Sequence, residues 1–164
     1  MGKHITGILS AFGFLSLWAH TAFADLRVVL IDPGSLPYEL SPSNYTNSPS
    51  NYANSPSNYA NSSSNYANSP SKYANSPSNY ANSTSGNRRL ISEDRRFLGY
   101  YVFSGEGVLN IYSSRGERIA FLPSGGHTQS LFLDEAGWCG TIGEQRGATV
   151  LGLSQSCYLR FLLD

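Results

Sequence analysis

The sequence predicts an all-β protein: a small domain of repeated short hairpins, preceded by a signal peptide and a disordered heptapeptide-repeat spacer. Three observations carry this reading. Residues 88–164 contain short runs rich in β-branched and aromatic residues, separated by Gly, Ser or Asp. No window after the N-terminal segment shows a long apolar period of 3.6 residues, so no long helix is expected. Residues 41–87 repeat a Ser-, Asn- and Pro-rich unit with the apolar pattern of neither a helix nor a strand.

Composition narrows the function. The 164 residues carry 11 Lys+Arg and 11 Asp+Glu, so bulk charge does not point to nucleic acid. A globular part confined to 88–164 is too small for a Rossmann domain or a TIM barrel.

The N-terminus reads as an address. Lys3 and His4 precede a mostly apolar run from Ile5 to Trp18, and Ala22-Phe23-Ala24 gives the A-x-A pattern of a cleavage site. Residues 1–24 are therefore expected to be a signal peptide, with the mature chain starting at Asp25. The run is interrupted by Gly13, Ser16 and His20, which argues against a retained span. The expected location is the periplasm, the cell surface or the extracellular space, with no transmembrane segment after cleavage.

Residues 25–40 hold one strand candidate, Leu26 to Ile31, followed by the turn signal Asp32-Pro33-Gly34. It is expected to dock on the C-terminal domain. Val29 to Gly34 resembles the opening motif of zinc-dependent N-acetylmuramoyl-L-alanine amidases. That family continues with a zinc-binding His, and this chain has Ser35.

From Ser41 the unit SPSNYAN recurs, with Tyr45, Tyr52, Tyr59, Tyr66, Tyr73 and Tyr80 in one register and Pro42, Pro49, Pro56, Pro70 and Pro77 in another. A coiled coil needs two apolar seam positions per heptad, and Pro breaks a helix. Little apolar surface is available to offset chain entropy, so 41–87 is expected to be extended and disordered. On that reading, deleting two or three heptads leaves the stability of 88–164 nearly unchanged. Asn44, Asn61 and Asn82 match the N-glycosylation acceptor pattern.

The C-terminal region is expected to hold strands in Phe97–Phe103, Val108–Tyr112, Arg118–Leu122, Leu131–Leu133, Thr149–Leu153 and Cys157–Leu163. A weaker period of 21 aligns segments beginning at Leu90, Ile111 and Phe132, with Gly116 and Gly137 at turns needing positive φ. Gly99, Ala120 and Thr141 are the small residues expected where units approach. This pattern over 90–153 resembles the small bacterial β-repeat domains known as β-flowers. The resemblance implies a fold and no activity.

Cys139 and Cys157 are the only cysteines, and in an exported chain they are expected to form a disulfide. A hydrolase would instead use Cys139 as nucleophile or His127 as base. Trp138, His127, Tyr100 and Tyr101 are the candidates for a binding face. No cofactor or metal site is read from the sequence. The leading expectation is a non-enzymatic exported domain that binds a protein, glycan or envelope partner. A small secreted enzyme inhibitor, for which one-to-one binding through an exposed loop such as 123–130 would speak, and a small hydrolase are the alternatives.

Overall fold

The computed structural model describes residues 25–163, so the expected signal peptide lies outside the described residues. Eight strands form a closed barrel in the order β1 (Leu26–Leu30), β2 (Arg89–Ser92), β3 (Phe97–Phe103), β4 (Leu109–Ser113), β5 (Arg118–Leu122), β6 (Ser130–Leu133), β7 (Trp138–Gln145) and β8 (Ala148–Leu153). Strands β2 to β8 pair antiparallel with their sequence neighbours. Strand β1 closes the ring by pairing in parallel with both β2 and β8. Closure leaves no unpaired sheet edge.

The weak sequence period has a geometric cause. Hairpins β2–β3, β4–β5 and β6–β7 share one build. A left-handed residue closes each turn: Arg95 (φ 64°), Gly116 (φ 90°) and Ala136 (φ 67°). Their amides donate to Ser92, Ser113 and Leu133 carbonyls. Each hairpin then carries a register shift. The residues skipped are Leu98, Ile119 and Cys139, and all three are buried in the barrel core. The structural period is 21 and then 20, so Ala136 rather than Gly137 is the counterpart of Gly116. The β7–β8 turn is different, with Arg146 (φ 52°) and Gly147 (φ 76°) between paired Gln145 and Ala148, which suits a two-residue hairpin.

Alternation sorts the side chains. Tyr101, Leu109, Ile111, Leu122, Leu131 and Leu151 belong to the barrel interior. Tyr100, Val102 and Tyr112 form a second buried cluster, and Val108, Phe121 and Phe132 a third. These neighbours along the strands point away from the interior. Because they are also buried, something must cover the barrel.

Two elements differ from expectation. Residues 157–163 are not a strand: α1 (Gln155–Leu163) is a helix that sends Cys157 and Phe161 into the barrel core. Ser154 Oγ accepts from the Cys157 amide at 3.3 Å, as an N-cap does. The apolar spacing Cys157 to Phe161 is one helical step. Cys139 and Cys157 are joined, with Cα atoms 5.2 Å apart, so the disulfide ties α1 to β7.

The second difference is larger. Residues 41–87 are not a disordered tether but a regular folded tract. Each SPSNYAN unit makes two consecutive turns. In 48–54, Asn51 N donates to Ser48 O and Asn54 N to Asn51 O. Proline fits the second position of the first turn, where its fixed φ is wanted and its missing N–H is not. Ser48 Oγ and Asn51 Oδ1 each accept from the amide two residues ahead. The last Asn is buried, and its Nδ2 donates backwards to Thr46 O at 2.8 Å and Ser48 O at 2.9 Å. Asn47, Asn61, Asn68, Asn75 and Asn82 repeat the same pair of bonds. The tract therefore satisfies much of its backbone from within, without an apolar core of its own.

Residues 34–40 extend the register. Tyr38 stands one heptad before Tyr45, and Leu40 takes the place of the buried Asn. Leu40 packs on Val29 and Val150, outside β1 and β8. This turn caps the tract with an apolar anchor.

Candidate functional site

The tract has an inner and an outer side. On the inner side, the Asn residues whose Nδ2 atoms hold the previous turn aim their oxygens at the barrel. Asn47 Oδ1 accepts from Thr128 Oγ1 at 2.7 Å. Asn54 Oδ1 lies 2.8 Å from His127 Nε2. Since Asn54 Nδ2 is committed to donating, its oxygen is the acceptor and His127 Nε2 carries the proton. Asn68 Oδ1 accepts from Asn110 Nδ2 at 3.2 Å, and the Asn68 carbonyl accepts from the Tyr112 hydroxyl at 2.7 Å. The Tyr100 hydroxyl donates to Asn75 O at 2.6 Å. Arg88, just before β2, reaches Asn82 Oδ1 and Ala74 O. The path runs from the β1–β8 face, past the β5–β6 loop, over β4 and β3, to the start of β2.

This contact explains the second buried cluster. Tyr100 and Tyr112 stack with ring centroids 5.2 Å apart, and burial raises both hydroxyl pKa values above the usual tyrosine range. Both stay neutral donors to the tract. Tyr101 faces the barrel interior, and burial pushes it up to about 12. Gly116 is needed for its positive φ and also because a Cβ there would sit 2.7 Å from Pro77 Cδ of the tract.

On the outer side, Tyr38, Tyr45, Tyr52, Tyr59, Tyr66, Tyr73 and Tyr80 form a row, each between 64% and 72% exposed. They are the large side chains the tract turns to solvent. Lys72 is the one charged residue between 41 and 87.

The four side chains singled out from sequence are not brought into one open face. Tyr101 lies inside and Tyr100 beneath the tract. His127 holds Asn54, and Trp138 donates from Nε1 to Ser130 Oγ at 3.0 Å while packing on Val108, Phe121 and Phe132. Cys139 is buried in the disulfide, and no free cysteine exists among the described residues. Asn61 and Asn82 are buried with Nδ2 donating twice, so a glycan attached there would remove one of the two donated tract bonds at each site and would have to be housed in a buried position.

A charged cavity of about 280 Å³ lies apart from the tyrosine row, lined by Glu117, Arg118, Asp134, Glu135 and Arg160. Arg118 is buried: it donates to Asn110 Oδ1 at 2.8 Å and Asp134 Oδ1 at 2.6 Å, and its guanidinium lies 4.6 Å from the Phe121 ring centroid. Arg160 pairs with Glu135 at 3.0 Å. Both cations here are matched to carboxylates, and the Arg118–Asn110–Asn68 chain fastens the tract to the barrel. No group of three His, Cys, Asp or Glu suited to a metal occurs among the described residues, and none of their helices is long and apolar enough to cross a membrane.

No protein-family model, no curated protein and no solved structure matches this chain.

The division of the tract into a buried Asn side and an exposed Tyr side follows from its register in the sequence: one aromatic per heptad, with an Asn two residues on.

Proposed function

We propose that this chain is an exported, non-enzymatic binding protein whose recognition surface is the outer side of the repeat tract. The observation that carries this reading is the row of exposed tyrosines on a hydrogen-bonded frame. Exposed aromatics held in fixed positions supply contact area at low entropic cost. The disulfide and the expected signal peptide support export. The partner class is a protein, a glycan or another envelope component. The 123–130 loop, which an inhibitor would present, spends His127 and Thr128 on the tract. Cys139, the nucleophile of the hydrolase reading, is bonded to Cys157.

The test compares the native chain with the triple variant Tyr52→Ser, Tyr59→Ser, Tyr66→Ser on arrays of glycans and envelope proteins. Retention by the native chain, lost in the variant at unchanged melting temperature, is expected. Equal retention of both would refute the tract as the recognition surface.

A further inference from the structure

We infer that the tyrosine row binds a linear, uncharged polysaccharide; this rests on the tract being the recognition surface. The first argument is periodicity. Successive heptads place the same ring in the same setting, because each backbone turn is fixed by the same pair of Asn bonds. A surface of identical stations suits a ligand made of identical units, and contacts along it add as linked sites do. A folded protein partner without internal repeats offers no such match.

The second argument is charge. Lys72 is the single ionic side chain between 41 and 87, so the row has neither the cationic stripe that a polyanion needs nor the carboxylates that a basic partner needs. From Tyr45 to Tyr80 the side chains flanking the rings are Ser, Asn, Pro, Ala and Thr, apart from Lys72 beside Tyr73, and a lone Glu39 stands beside Tyr38 at the end of the row. Tyrosine offers an apolar ring face together with a hydroxyl. The C–H face of a pyranose ring can lie on such a ring while its hydroxyls remain hydrogen-bonded to water or serine.

The third argument is rigidity. The inner side of the tract is bonded to Thr128, His127, Asn110, Tyr112 and Tyr100. The rings are therefore displayed without ordering a flexible chain at the moment of binding. Single stations of this kind bind weakly, and affinity comes from occupying several at once.

The experiment titrates the full native chain with N-acetylglucosamine and glucose oligomers of increasing length, with heparin and polygalacturonate as polyanionic probes. Affinity for at least one uncharged series is expected to rise with length. Each Tyr→Ser change at Tyr52, Tyr59 or Tyr66 is expected to weaken the longest oligomer by about fivefold, the scale of one aromatic contact. Melting curves of the variants check that the frame is intact. Absence of binding to both uncharged series, or binding without length dependence, overturns the inference. If binding is tyrosine-dependent but confined to a polyanion or a protein, the polysaccharide assignment fails while the recognition surface stands. Binding that survives all three substitutions refutes both.

Discussion

The barrel and the tract solve the same problem with opposite chemistry. The barrel buries apolar side chains on both faces of a closed sheet, and its backbone is satisfied by strand neighbours. The tract buries asparagines, and each one replaces a strand neighbour by reaching back to two carbonyls of the previous turn. A buried amide is expensive only when unpaired; paired at both ends, it orders chain that lacks apolar surface. The comparison teaches that low hydrophobicity marks disorder only where the polar groups have no partners. Here the repeat supplies them from one turn to the next, and the barrel's outer face supplies the rest.

Removing heptads breaks this comparison most severely. The turns meet the barrel in a fixed order, with Asn47 at Thr128, Asn68 at β4 and Asn75 at β3. The tract is also the connection that returns the chain from β1 to its parallel neighbour β2. Deleting residues 55–68 should lower the melting temperature by more than about 10 °C, and exposing Tyr100, Tyr112 and Phe121 should increase dye binding to apolar surface. An unchanged melt would mean that the tract contributes nothing to the barrel.

The disulfide comes next. Replacing Cys139 and Cys157 by Ser should cost about 2–5 kcal/mol in denaturant unfolding. The loss should appear first as protease cleavage within 154–163, because the bridge holds α1 against β7. Cleavage in the tract before the helix would contradict that placement.

Within a single heptad, the inner and outer residues should differ sharply. Asn68→Ala removes two donated bonds and the partner of Asn110, and should cost about 2–4 kcal/mol. Tyr66→Ala, two residues away, should cost under about 0.5 kcal/mol because its ring is mostly exposed. Chemical denaturation of the two variants measures this contrast. Equal costs would mean that the tract is not held by its asparagines.

The smallest effect sharpens the local rule. Lys72 stands where the other heptads place the Asn that caps the second turn, and that turn lacks a side-chain cap bond. Lys72→Asn should restore it and stabilise the chain by about 0.5–1 kcal/mol. A neutral or destabilising result by differential scanning calorimetry would show that the cap contributes little here.

The sequence by itself determined what depends on near neighbours. The strands at 97–103, 109–113, 118–122, 130–133 and 148–153 and the turn at Gly116 follow from alternation and from residues that tolerate positive φ, while the hairpin period proves to be 21 and then 20. The two cysteines pair as their count suggested. The strand at Leu26–Leu30 was legible too, since its β-branched run ends in Asp32-Pro33-Gly34. The helix at 155–163 was missed although Ser154 and the Cys157–Phe161 spacing marked it, because a short apolar run reads equally well as a strand. Tertiary structure decided the rest. Tyr100 and Tyr101 are adjacent and alike in sequence, and only barrel closure sends one inward and the other beneath the tract. An asparagine is equally at home in a disordered chain and in a buried ladder. Which it becomes depends on whether carbonyls six and eight residues back, and a barrel face far along the chain, are positioned to meet its amide.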